Sequence, residues 1–214
     1  MIGVKMQIYN KEFEDKLFLE GKRKIAGVDE VGRGPIAGPV VAACVVLPPH
    51  FFLEGLTDSK QLSAKKREFF FSIILQVALD VSFEFVFEDK IDHMNIYQAT
   101  KLAMIKAIEG CIIQPDYVLV DAMKLDISIP MLGIIKGDQR SISIAAASVV
   151  AKVVRDRYMV EMAKKYPHYG FDRNKGYPTK EHKTALINHG ACEIHRKSFS
   201  PVKELFIEQM KYDF

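Results

Sequence analysis

Apolar positions along the chain follow two periods. Short unbroken or alternating runs mark strands at 24–31, Val40 to Leu47, Ser82 to Glu88, Tyr117 to Val120 and Ile134-Ile135. The second run is β-branched and is stopped by Pro48-Pro49. In the third, Phe83, Phe85 and Phe87 alternate with Glu84, Val86 and Glu88, which predicts a strand with one wetter face. The first three strands suggest an antiparallel meander, with a helix inserted between the second and third. That helix spans Ser63 to Ala78, with Ser63 placed to cap it. Asn95 is placed to cap a helix over 96–110, whose stripe is Ile96, Ala99, Leu102, Ala103 and Ile105. A long helix is predicted from about Ser141 to Lys165; its small-sided run Ala145-Ala146-Ala147-Ser148 permits close approach to a neighbour. After Pro167 the chain reads as irregular and basic until a last helix over about 201–211. No internal repeat is visible. The pattern is α/β: a five-stranded sheet flanked by helices, with a soft boundary near 165 that divides a core (1–165) from a C-terminal helical extension (166–214).

Composition narrows the class. A chain of 214 residues that is 49% hydrophobic suits one large domain, or one domain with a helical appendage. Cys44, Cys111 and Cys192 are widely spaced, so neither a zinc site of the usual kind nor a disulfide framework is indicated, and a cytoplasmic setting is expected. No apolar stretch reaches the roughly 18 residues of a membrane span. The segment from Met1 to Lys24 lacks the apolar centre of a signal peptide. Net charge is +3, but residues 140–214 hold 14 Lys and Arg against 8 Asp and Glu. A basic C-terminal third beside an acid-bearing body fits nucleic-acid binding; an ordinary solvated surface is the alternative.

Candidate chemistry gathers at strand ends. Asp29 and Glu30 end the first strand, Asp121 the fourth, and Asp138 follows the fifth. Ligands of open sheets collect where strands finish, so these acids have a route to convergence. Four convergent carboxylates do not all stay ionised without cations, and oxygen-only ligands favour Mg²⁺ or Mn²⁺. Two such ions about 3.5–4 Å apart would clamp the attacking and leaving oxygens of a phosphodiester. Each acid also has a local alternative: Asp138 as a helix cap, Asp121 as a turn residue. Glu30 joins Asp29 only if the strand bends, because neighbours on a strand face opposite ways. Gly32 and Gly34 make a bend available, and Arg33 sets a cation beside the acids. Gly32-Arg33-Gly34-Pro35-Ile36-Ala37 matches a loose dinucleotide fingerprint, but Pro35, Pro39 and the β-branched run after them oppose the helix that such a fingerprint must open.

The ordered motifs resemble those of the bacterial ribonuclease HII family. They are Val28 to Pro35, Asp58-Ser59-Lys60, Asn95 to Thr100, Lys136-Gly137-Asp138, Ser143 to Ser148, Tyr166 to Phe171, Lys175-Gly176-Tyr177 and His195 to Phe199. The resemblance implies a ribonuclease H-like fold with a mixed five-stranded sheet and a C-terminal helical extension. It implies a metal-dependent endonuclease that cuts the RNA strand of RNA/DNA hybrids. It further implies nicking on the 5′ side of ribonucleotides embedded in duplex DNA, leaving a 3′-hydroxyl and a 5′-phosphate, in ribonucleotide removal and primer processing. By the same resemblance Asp29, Glu30, Asp121 and Asp138 bind Mn²⁺ or Mg²⁺. Gly32, Arg33 and Gly34 read the ribose 2′-hydroxyl, and Tyr177 stacks on the following deoxyribose. Ser59, Lys60 and Ser148 are candidate contacts to backbone phosphates, although Lys60 also reads as a solvated lysine and Tyr177 as a core aromatic. His195-Arg196 reads as packing the extension on the core. A monomer is expected. One departure is Ala122-Met123 after the third acid, where the family commonly has glycine and asparagine. The tail Gln209 to Phe214 faintly resembles a sliding-clamp-binding segment, but its hydrophobic spacing is poor and it reads as a frayed end.

Overall fold

In the computed structural model, which describes residues 11–205, the two periods resolve into five strands and eight complete α-helices among the described residues. In chain order these are α1 (Glu12–Leu19), β1 (Ile25–Val31), β2 (Val40–Val46), α2 (Ala64–Val77), β3 (Asp80–Val86), α3 (Glu88–Met94), α4 (Ile96–Glu109), β4 (Tyr117–Asp121), β5 (Met131–Ile134), α5 (Gly137–Arg140), α6 (Ile142–Lys165), α7 (Phe171–Asn174) and α8 (Lys180–His189). The sheet order is β3-β2-β1-β4-β5. The pairs β1/β2 and β2/β3 are antiparallel, whereas β1/β4 and β4/β5 are parallel, so the sheet is mixed as expected.

All seven residues of β2 are buried, because helices cover both its faces. Val41, Ala43 and Val45 pack with α2 and the alanine run of α6. Val40, Ala42, Cys44 and Val46 pack with Ala99, Ala103, Met104 and Ala107 of α4. The approach of α6 to β1 is closest at Gly27, where a Cβ would stand 2.0 Å from the carbonyl carbon of Ser143. The predicted caps are present: Ser63 Oγ accepts from Lys66 N, and Asn95 Oδ1 accepts from Tyr97 N and Gln98 N. Buried Glu14 fastens α1 to the start of α6 by accepting from Ser141 Oγ (2.6 Å) and Ser143 N (3.0 Å).

Several expectations need correction. β3 starts two residues earlier than its alternation indicated, and Glu88 opens α3 instead of ending the strand. Its wetter face is the phenylalanine face: Phe83 and Phe87 are each 46% exposed, while Val86 is buried. The cause is tertiary, since α4 lies across β2 and β3 on one side, whereas α6 covers mainly β1 and β2 on the other. Phe85 and Phe87 shield one another and lean on Tyr158 of α6. β5 lies over Met131–Ile134, and Ile135 is left exposed beyond it. The stretch after Pro167 contains α7 and α8; Thr179 Oγ1 caps α8 by accepting from His182 N. Of the helix expected over 201–211, residues 202–205 are described and helical. The rest of that helix, and the tail Gln209 to Phe214, lie outside the described residues.

Candidate active site

Parallel pairing of β1 with β4 stops at Val28 and Val120, whereas pairing of β1 with β2 runs on to Val31 and Val41. Beyond Val28 the two parallel strands lose their shared ladder, with Asp29 and Asp121 standing one residue past the last pair. The uninterrupted ladder also shows that no bend separates Asp29 from Glu30; the turn comes later, at Gly32 with φ +97°. Asp29 therefore shares the face of Gly27, towards α6, where the nearby Ser148 hydroxyl lowers the proton affinity of its carboxylate. Ser148 and Ser59 are both buried, with their hydroxyls 3.0 Å apart, so they lie behind Asp29. Glu30 takes the other face, where its Oε1 meets Arg33 Nη1 at 3.2 Å.

Asp121 Oδ1 accepts from Gly137 N at 2.7 Å, a bond across 16 residues and not a local turn. Gly137 opens the single turn of α5, so this bond also ties Asp138 to the end of β4. Asp138 does not cap the long helix; Ser141 does, accepting from Ile144 N. A fifth carboxylate stands beside these four. Asp58 lies close enough to raise the proton affinity of both Asp121 and Asp138. Its Oδ1 also caps the short turn Ser59–Gln61 by accepting from Lys60 N. The run Asp58-Ser59-Lys60 carried this signal, an acid directly before a capped turn.

Burial pushes the proton affinity of all four predicted acids upward. Asp29 is raised well above the usual carboxylate range by burial, then by Glu30 and Asp121. Glu30 is raised by burial against the lowering pull of Arg33. Asp121 is raised by burial, partly offset by the Gly137 amide and by Lys60. Asp138 is pushed to about 6 by burial, then by Asp58 and Asp121. The Lys60 ammonium loses some stability to burial but gains more from Asp29, Asp58, Asp138 and Glu30, and its pKa rises. Lys60 and Arg33 are thus cations amid this acidic group.

Two buried arginines hold the glycine turn: Arg196, expected to pack the extension on the core, and Arg155, which no sequence motif marked. Arg196 donates to the carbonyls of Gly32, Arg33, Pro35 and Gly38. Arg155 donates to those of Ala37, Pro39 and Lys175. A Cβ on Gly32 would stand 2.4 Å from Arg155 Nε. With the turn's carbonyls drawn inward, the amides of Gly32, Arg33 and Gly34 have no protein acceptor among the described residues. Tyr177, 40% exposed, lies across from this turn, its ring 3.5 Å from where a Cβ of Gly34 would be. Glu30, Val31, Gly32, Arg33, Gly34, Lys60, Ile96 and Tyr177 together line an open groove of about 470 Å³. Ile96, at the start of α4, was expected as part of that helix's apolar stripe and not as a groove residue.

The donor set fits a hard divalent cation. The donors are carboxylate oxygens, each costly to ionise where it stands, and buried Glu30 Oε2 has no hydrogen-bond partner. No group of three or more His, Cys, Asp or Glu side chains among the described residues is already set as a metal cage. The acids are instead parked on protein donors: Glu30 on Arg33, Asp121 on the Gly137 amide.

A mixed sheet with acids at the parting of its parallel strands, beside a basic groove, defines a ribonuclease H-like hydrolase of phosphodiesters. The sequence model of the family described as Ribonuclease HII matches residues 26–202, and the chain belongs to that family. It is 52% identical to Ribonuclease HII of Geobacillus sp. (strain WCH70) over 93% of this chain and 72% of the relative. Among solved structures it is similar to ribonuclease H2 from Pyrococcus horikoshii OT3, with a TM-score of 0.75, 26% identity, and coverage of 88% of this chain and 99% of that one. It also shares its fold with Bst-RNase HIII in complex with Mn²⁺, with a TM-score of 0.64, 15% identity, and coverage of 89% and 71%. The chain is an endoribonuclease of the kind that acts on RNA/DNA hybrids. No helix among the described residues is long and apolar enough to cross a membrane.

Proposed function

We propose that the chain hydrolyses the RNA strand of RNA/DNA hybrids and also nicks duplex DNA on the 5′ side of an embedded ribonucleotide. The observation that carries this reading is the groove, where free backbone amides and one aromatic ring face each other beside the acids. An amide at Gly32, Arg33 or Gly34 can donate to a ribose 2′-hydroxyl at a closeness that a side chain would block. The half-exposed ring of Tyr177 offers its apolar face to the next sugar, which lacks that hydroxyl. Together they select a ribonucleotide followed by a deoxyribonucleotide.

Asp29, Glu30, Asp121 and Asp138 would hold Mg²⁺ or Mn²⁺, consistent with their oxygen-only donors and with the Mn²⁺ bound by the related fold. Bound there, such ions supply Lewis acidity and a water that deprotonates near neutral pH. The rest falls to the chain. Lys60 and Arg33 draw the phosphate to the acids, and Ser59 and Ser148 steady Asp29 from behind. Water attacks phosphorus, the P–O3′ bond breaks, and the products are a 3′-hydroxyl and a 5′-phosphate. The segment 166–214 acts as an extension that supplies Tyr177 and, through Arg196, the shape of the turn.

A labelled DNA duplex with one ribonucleotide, incubated with Mg²⁺ or Mn²⁺, tests the reading. Cleavage 5′ of the ribonucleotide is expected, with loss in Asp29→Asn. Equal cutting of an all-DNA duplex would refute the specificity, and tight binding without cutting in either metal would refute the catalytic assignment.

A further inference from the structure

Four histidines among the described residues play no part in the groove's polar contacts, but two others form a buried pair that ends on Tyr177. His182 and His195 are 0% and 1% exposed, and their Nε2 atoms are 3.0 Å apart. His182 Nδ1 lies 2.9 Å from the carbonyl oxygen of Tyr177. At the other end, Cys192 N lies 2.9 Å from His195 Nδ1.

Hydrogen-bond logic fixes both tautomers. A carbonyl only accepts, so His182 Nδ1 carries a proton and donates to Tyr177. Its Nε2 then accepts, and His195 Nε2 carries the proton between the rings. His195 Nδ1 is left as an acceptor, as the Cys192 amide requires. The Cys192 thiol, 3.1 Å from the same nitrogen, competes as a second donor, and the Cys192 carbonyl at 3.3 Å is a longer contact. Both ends of the chain thus demand one direction, from Cys192 through two neutral imidazoles to Tyr177. A proton added to His182 would set two N–H groups against each other across the gap of 3.0 Å. Burial favours neutrality, lowering His182 and pushing His195 down to about 4. Tyr169 and Phe171 close edge-on around the pair, and Glu181 is the charged neighbour of His182.

We infer that His182, oriented by His195, is a positioning residue that aims Tyr177 into the groove and so helps to set the preference for a ribonucleotide–deoxyribonucleotide junction. The flanking bonds fit this role. Gly176 O accepts from Ile36 N, and the Tyr177 carbonyl also accepts from Thr179 N, so the backbone of the tyrosine is pinned on both sides. Asn174 ties the neighbouring Gly176 to the extension, accepting from Gly176 N and donating to the Tyr169 carbonyl, and His182 is the side chain that donates to the Tyr177 carbonyl itself. The inference rests on the reading of Tyr177 as the junction sensor.

The test compares kcat/KM on a duplex bearing one ribonucleotide with kcat/KM on a long RNA/DNA hybrid. Tyr177→Ala should lower that ratio, and His182→Gln should lower it about tenfold, the scale expected for a modest misplacement. Glutamine keeps a partner for His195 but lacks a donor at the Nδ1 position. His182→Asn places an amide near that position and should return most of the preference. The double variant His182→Gln/Tyr177→Ala should fall no lower than Tyr177→Ala alone. If His182→Gln keeps the ratio that Tyr177→Ala loses, the positioning role is overturned and the tyrosine reading stands. If Tyr177→Ala keeps it, that reading fails and the inference falls with it. Imidazole ¹⁵N spectra of the unaltered protein give a check independent of variant folding. His182 must appear as the Nδ1–H form and His195 as the Nε2–H form; the reverse assignment overturns the chain.

Discussion

Asp138 shows what the site costs the fold. Burial, then Asp58 and Asp121, lift its pKa from 3.8 to about 6. A raised carboxyl binds its proton more tightly when folded, so its ionisation opposes folding. That penalty is absent below the unfolded value and grows as pH climbs from about 4 through about 6. In chelator at pH 7.5, Asp138→Asn should therefore be more stable than the parent by about 1–2 kcal/mol, after discounting for partial solvent screening. The difference should vanish near pH 4, and hydrolysis should be lost. Urea unfolding at the two pH values measures the first, and an unchanged stability at pH 7.5 would contradict the buried-charge account. Ala122 is the second residue of note. Its φ of +46° lies in the left-handed region, so the departure from glycine after the third acid leaves a strained backbone. Ala122→Gly should stabilise by up to about 1 kcal/mol, the left-handed penalty less the entropy of glycine, read as a higher Tm.

Among elements, the contact of α6 with β1 decides where Asp29 stands. The small residues Ala145 to Ser148 let the helix lie on the strand, and Gly27 provides the space opposite Ser143. Gly27→Ala would force the two backbones apart and should cost about 3 kcal/mol or more, with Ser148 drawn away from Asp29. Thermal unfolding and activity should fall together; a variant that loses neither would show that the helix has room to move. The caps at Ser63 and Asn95 and the long helix to Lys165 were legible because each depends on neighbours within four residues. The helices α1, α3 and α8 were not, since they are short and take their stability from packing. The wetter face of β3 was illegible for the same kind of reason: strand alternation names two faces but not which one a helix covers.

At the scale of the molecule, Arg33 and Lys60 line the groove beside the acidic centre, an arrangement suited to a phosphate backbone that must approach carboxylates. Binding of inert Asp29→Asn protein to a hybrid should weaken about 10²-fold between about 50 and 200 mM salt if about four phosphates are neutralised. An affinity independent of salt would remove the charged groove from the account. The sequence by itself determined that Asp29 and Asp121 lie on strands and that Asp138 follows the last strand, with the glycine turn and the α/β alternation, because these depend on local period and spacing. Tertiary structure alone decided the rest. It set Asp58 against Asp138, wrapped Arg155 and Arg196 around carbonyls of residues 32–39, more than 100 residues away, and joined His182 to His195. A guanidinium or an imidazole carries no sign in the sequence of which distant carbonyl it will meet. That pairing is set by how the extension packs on the sheet.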